Sequence, residues 1–340
     1  MSIQGYNSLS QKERITWVDS AKGIAIYLIV VGHFLNVSSL ELVNKAIYSF
    51  HIPLFFILSG YTHKESDRQF WKGIFDKAKQ LLLPYIVYII LSVLFCMVYG
   101  NYELTWDKLC YYNASIYFDE PIWFLIVLFA VFVIEYAIKT VRWKPIFQMM
   151  TSLLLLAIGY ICHKYKYGFA SYINHFGLNR IIVCFSFFML GVVFKQVRGG
   201  QVLKDEKVKY LFLIALSGLW LVSLSNNVKC SMYIFCFGNY WLFILSAITG
   251  SMAVALVCKR WLDFRLLRKL SKYGVFLMGT QYFWLIPVRD YLVSKEINKS
   301  TFYGAISFMI PCIGISITIL TYELIKKKVP IIKILNGELR

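Results

Sequence analysis

Four residues near the N-terminus combine titratable chemistry with helical spacing inside strongly apolar sequence. They are Asp19, Lys22 and His33 in WVDSAKGIAIYLIVVGH, and His51 in SFHIPLFFILSGY. Asp19 and Lys22 are three apart, so a helix puts them on one face, where they can neutralise each other. Lys22 and His33 are separated by eleven residues, about three turns plus 20° and a rise of roughly 16 Å. The three side chains thus form one stripe, carboxylate and amine at one end and imidazole at the other. Gly23 and Gly32 flank it and permit a close approach of backbone or substrate. His51 comes just before Pro53, which weakens the local helix and frees backbone groups to line a cavity. Ser59 and Gly60 allow tight packing further along. The connection 37–42 is short, so the two segments are expected to be antiparallel neighbours whose imidazoles share one cavity. A histidine with a pKa near neutrality is the usual general base for activating a hydroxyl. Two plainer roles stay open: Lys22 snorkelling to headgroups, and His33 as a satisfied interface histidine.

These groups sit in a chain built for lipid. Of its 340 residues, 59% are hydrophobic and 16% charged, with mean hydropathy +0.60, far from globular averages. That excludes a soluble enzyme and a disordered protein. The apolar runs predict an all-α, polytopic integral membrane protein with about ten spans, near 17–36, 43–62, 80–100, 121–138, 146–162, 178–195, 209–226, 235–257, 273–293 and 302–325. No connection is long enough to bury a core of its own, so residues 1–340 read as a single membrane domain. The first span carries Asp19 and Lys22 and lacks a small-residue cleavage pattern, so it reads as a retained helix.

The net charge of +18 suggests nucleic acid until the basic residues are located. Alternate connections hold 26 and 9 of the Lys and Arg residues, with Lys22 inside a span. Basic loops resist translocation, so the asymmetry puts both termini in the cytoplasm and accounts for the charge without a nucleic-acid partner. The eight cysteines contain no C-x-x-C pair, and no metal site is read from them; one disulfide between Cys110 and Cys230 stays open.

The ordered motifs resemble the integral-membrane acyltransferase-3 family, in particular its branch of fucose- or polysaccharide-type O-acetyltransferases. DSAKGIAIYLIVVGH is similar to that family's first-helix motif, a basic residue followed by ten residues and a histidine, which falls on Lys22 and His33. FHIPLFFILSGY is similar to the second-helix motif, FDKAKQLLLPY to the basic stretch before the third helix, and PIWFL to an aromatic turn entering the fourth. NRIIVCFSFFMLG and LRKLSKYGVFLMGTQYF resemble later segments. Most members have arginine where this chain has Lys22, although lysine is usual in the branch named, and many carry a histidine in the ninth helix where this chain has Gln281.

The resemblance implies a multi-pass enzyme of the cell (plasma or inner) membrane. It implies transfer of an acetyl group from cytoplasmic acetyl-CoA, a cosubstrate, to a hydroxyl of a cell-surface or lipid-linked glycan. On that reading His33 is the general base or transient acyl carrier, with Lys22 and Asp19 supporting the donor. Lys72, Lys77 and Lys79 are candidates for the CoA phosphates, although topology alone also accounts for them. Trp123 is a candidate stacking surface for a sugar, and Arg180 a partner for a sugar oxygen or a lipid-linked phosphate; interface anchoring is the alternative for both. The competing class is a transporter or glycan polymerase without acyl chemistry. The chain lacks the halved symmetry of inverted repeats, and its polar motifs concentrate in the first two helices.

Overall fold

A computed structural model of the chain describes residues 15–35, 40–64, 70–99, 122–165, 177–197, 206–226, 230–300 and 302–338. The described residues form α1 (Thr16–Phe34), α2 (Glu41–Thr62), α3 (Phe70–Tyr99), α4 (Trp123–Ile138), α5 (Pro145–Lys164), α6 (Leu178–Gln196), α7 (Glu206–Asn226), α8 (Tyr240–Arg260), α9 (Arg265–Lys272), α10 (Gly274–Ser294) and α11 (Tyr303–Lys328). Every apolar stretch read as a span coincides with one of these helices. Seven of them, α1, α2, α3, α5, α6, α8 and α11, are long and apolar enough to cross a membrane. With no strand among the described residues beyond an isolated Ser231–Cys236 bridge, the chain is an all-α, multi-pass membrane protein.

Three elements depart from the sequence reading. The basic stretch FDKAKQ is not a connection, because α3 begins at Phe70, ten residues earlier than expected. The basic segment after α8 likewise contains the short helix α9. The run taken as the eighth span from 235 divides as well. Residues 230–237 form a tight hairpin, with paired bonds between Ser231 and Cys236. Gly238 then turns with φ +62°, and α8 starts only where the Asn239 side chain accepts the Trp241 and Leu242 amides, each at 3.1 Å.

α2 packs most extensively on α6, and α1 is surrounded by α2, α8, α9, α10 and α11. The α2–α6 contact is backbone to backbone. A Cβ at Gly60 would lie 1.9 Å from the Phe188 carbonyl oxygen, and one at Gly191 would lie 1.9 Å from that of Ile57. Gly23 is used in the same way by α9, whose Leu267 carbonyl oxygen would stand 2.0 Å from a Cβ there. Small residues at such crossings let helices approach closely.

The bundle has two polar ends. At one, Asp263 accepts from Thr16 and Ser20 at 2.6 and 2.8 Å. A C-terminal 3-10 segment, Pro330–Asn336, is tied there to α3 by Tyr88 donating to the Leu335 carbonyl at 3.0 Å, and to the start of α10 by Asn336. Among the described residues, Arg268, Lys272 and Lys326 lie at this end. His33 lies at the opposite end of α1, and His51 midway along α2.

Candidate functional site

His33, near the end of α1, and His51, halfway along α2, are both buried, 8% and 5% exposed, and line one pocket. The pocket is open to the outside; the space between its walls, open solvent included, is about 420 Å³, and its other walls are Ile29, Tyr48, Ile52, Trp123, Ser231, Met232 and Tyr233. The shared cavity expected for the two imidazoles is therefore present. Pro53 does not open it: α2 stays helical through the proline, which is buried.

The two rings are held differently. His51 Nδ1 lies 2.6 Å from the Ile47 carbonyl oxygen. A carbonyl only accepts, so Nδ1 carries the proton and Nε2 keeps its lone pair. Around His33 Nδ1 stand two phenol oxygens, Tyr282 at 3.0 Å and Tyr48 at 3.3 Å. A hydroxyl both donates and accepts, so these tyrosines can serve a neutral ring and can also accept from the Nδ1–H of an imidazolium. Tyr48 stands edge-on to both rings, with centroids 6.1 Å from His33 and 5.1 Å from His51. Sequence reasoning missed Tyr48, Tyr282 and the 231–233 wall. Tyr282 lies next to Gln281 in the segment already singled out; buried Gln281 itself donates to the Met278 carbonyl at 3.1 Å.

Trp123 opens α4, is 5% exposed and lines the pocket, whereas Trp71 is 76% exposed. Arg180, in the first turn of α6, has its guanidinium 5.9 Å from the ring centres of Trp123 and Tyr233. Thus His33, His51, Trp123 and Arg180, drawn from four helices, come together.

Asp19 and Lys22 do not join them. They are half-buried near the start of α1, beside the 263–272 segment. The face running from Lys22 to His33 passes through buried Ile26 and Ile29, so the stripe is polar at its ends and apolar between. The three lysines of α3 also separate. Lys72 and Lys79 are exposed and, seven residues apart, share one face. Lys77 turns inward, its Nζ 4.1 Å from the Phe132 ring centre and 3.2 Å from Gln80 Oε1.

Lys77 belongs to a second buried cluster at the basic end. His63, just beyond α2, lies 3.7 Å from Glu135 of α4, which is 1% exposed and accepts from the Thr140 hydroxyl. Lys195 of α6 donates to the His63 carbonyl. Burial first, then the Lys77 and Lys195 charges, pull the His63 imidazole down to about 4, so it is neutral at pH 7 despite its carboxylate neighbour. Between pH 6.5 and 4 the unfolded chain binds a proton here that the native fold refuses. Stability is fully present above that window and falls as the pH drops through it. The detergent-solubilised protein is expected to show a falling thermal midpoint from pH 7 to pH 5, with a shallower fall in His63→Gln; equal slopes would remove His63 from the account.

Of the open disulfide, Cys110 lies outside the described residues. Burial pushes the Cys230 thiol up to about 12, which makes it a poor nucleophile.

Over 217 residues, 58% of this chain, it is 26% identical to the nodulation protein NolL of Mesorhizobium japonicum, a stretch that is 52% of that relative. Over 91 residues, 24% of the chain, it is 35% identical to NolL of Sinorhizobium fredii, covering 25% of it. The chain therefore spans about half the length of the first relative and a quarter of the second. No solved structure matches it. The model of an acyltransferase domain matches residues 15–321, nearly the whole bundle, and the chain belongs to the acyltransferase-3 family.

Proposed function

We propose that this membrane acyltransferase is an O-acetyltransferase, moving acetyl from cytoplasmic acetyl-CoA to a hydroxyl of a cell-surface or lipid-linked glycan at the outer end of the bundle. The observation that carries this reading is the pocket in which two buried imidazoles from adjacent helices face an aromatic wall. The acceptor hydroxyl attacks the thioester carbonyl carbon, the C–S bond breaks, and the hydroxyl proton passes to an imidazole and then to the CoA thiolate.

His33 takes that proton at Nε2. Its Nδ1–H is then shared with the oxygens of Tyr282 and Tyr48, which stabilise the imidazolium as it forms. His51, whose Nε2 lone pair is fixed by the Ile47 bond, accepts from a hydroxyl of the acceptor and orients it. Trp123 and Arg180 lie on the acceptor side. At the other end, Lys77 with Lys195 is the better pair for the anionic end of the donor, because both turn into the bundle; Lys72 and Lys79 face outward, where topology is sufficient reason for them. Asp19 and Lys22 support the donor from the same end. Both termini are assigned to the cytoplasm on the basic asymmetry of the connections.

Deleting the gene should remove an acetyl ester from a surface glycan, read as loss of mild-base-labile acetate and of O-acetyl proton resonances. Unchanged ester with altered chain length or export would instead support a transporter or polymerase.

A further inference from the structure

Arg180 has no counter-charge among the described residues. Among the described residues no carboxylate lies within ion-pairing distance of its guanidinium, and its Nε is buried without a hydrogen-bond partner. What surrounds it is aromatic: Trp123 and Tyr233, each 5.9 Å from the guanidinium carbon. Both rings also line the histidine pocket, and no lining residue is acidic. A second cation, Arg289 of α10, is paired with the adjacent Asp290 at 3.8 Å.

A site for a neutral sugar needs side-chain acceptors for sugar hydroxyls, usually carboxylates and amides. The described walls offer imidazole, phenol, one serine and apolar surface but no carboxylate or amide side chain, beside an arginine that no described carboxylate pairs. The side chain is partly exposed, but its buried Nε–H is a donor left without a partner, which is costly, and the planar guanidinium fork matches a carboxylate or phosphate.

We infer that the acceptor is an anion, carrying a phosphate or carboxylate that pairs with Arg180 while the sugar ring lies against Trp123 and Tyr233 and presents a hydroxyl to the histidines. This rests on the acetyl-transfer reading above. One aromatic ring, Trp123, bridges the arginine and the pocket, so the charge lies within about one sugar unit of the hydroxyl that is acetylated.

The test uses membranes from the native host, with radiolabelled acetyl-CoA and endogenous acceptor. The labelled, base-labile unit is isolated from the wild type and its charge determined by anion exchange, a result that depends on no variant. It should be anionic. If the label partitions with organic-soluble isoprenyl-linked material and becomes neutral when the phosphate linkage is cleaved by mild acid, the anion is the lipid carrier's phosphate; if it stays anionic in the water-soluble glycan, it is a carboxylate or phosphate of the glycan itself. Arg180→Gln should raise the acceptor KM at least tenfold and leave the acetyl-CoA KM unchanged, with Arg180→Lys intermediate because it restores charge without the fork. Ester on a neutral unit overturns the inference, as does Arg180→Gln with a wild-type acceptor KM. No ester from the wild type at all would be a different failure, removing the acetyl-transfer reading and the inference with it.

Discussion

His33→Ala is expected to lower acetyl transfer by about 10²–10⁴-fold, the usual cost of removing a general base, with the protein still inserted and the acceptor KM little changed. His51→Ala should differ in kind: loss of the fixed Nε2 acceptor should appear mainly as a raised acceptor KM, because in the proposed mechanism that atom orients a hydroxyl and takes no proton. Tyr282→Phe removes the phenol oxygen 3.0 Å from His33 Nδ1, the closer of two partners for the imidazolium. It should reduce kcat several-fold, with Tyr48 supplying the remainder. Steady-state assays in nanodiscs with varied acetyl-CoA and acceptor separate these effects. The assignment is reversed if His51→Ala abolishes turnover and His33→Ala keeps it; the lone pair fixed by the Ile47 bond would then be the base, and the tyrosines would hold His33 as a donor to the developing oxyanion.

The near half of this site was legible because its residues are close in sequence. Helical periodicity puts Lys22, Ile26, Ile29 and His33 on one face, and a short connection forces α1 and α2 side by side, so a shared cavity for His33 and His51 follows from spacing. The far half was not. Tyr282 reaches His33 across 249 positions, and no local pattern marks such a contact. The 230–237 hairpin was hidden inside the run CSMYIFCFG, which is as apolar as a span; only Gly238 and the Asn239 cap betray that a helix begins after it. Faces were lost where a helix was mistaken for a connection. Reading FDKAKQ as a basic loop grouped Lys72, Lys77 and Lys79 as one site, whereas α3 turns Lys77 inward and the other two out. Glu135 and His63 lie at the ends of α4 and α2, outside the motifs that mark those helices, and only the fold packs Lys195 and Lys77 against them.

The bundle's tightest crossing should be its most sensitive to one added carbon. Replacing glycine by alanine inside a helix ordinarily helps, by up to about 1 kcal/mol, through backbone entropy. Gly218 of α7, where a Cβ would meet nothing within 4 Å, should show that gain or no change in Gly218→Ala. Gly60→Ala and Gly191→Ala should do the opposite, because each new methyl would stand 1.9 Å from a carbonyl oxygen of the facing helix. The obstacle is main chain on both sides, so no rotamer change relieves it and α2 must move away from α6. Overpacking of side chains alone typically costs about 1–3 kcal/mol; displacing two helices should reach or exceed the top of that range, and Gly60→Val should leave little folded protein. Thermal unfolding followed by size-exclusion in detergent reads the loss. The shift is also functional, since Gly60 and His51 share α2 and a misplacement of about 1 Å at a reacting group can cost roughly 10²-fold. Gly60→Ala protein that remains folded should therefore turn over more slowly than its stability alone explains. If Gly60→Ala and Gly218→Ala instead prove equally benign, α2 and α6 do not meet backbone to backbone, and the placement of His51 opposite His33 loses its anchor.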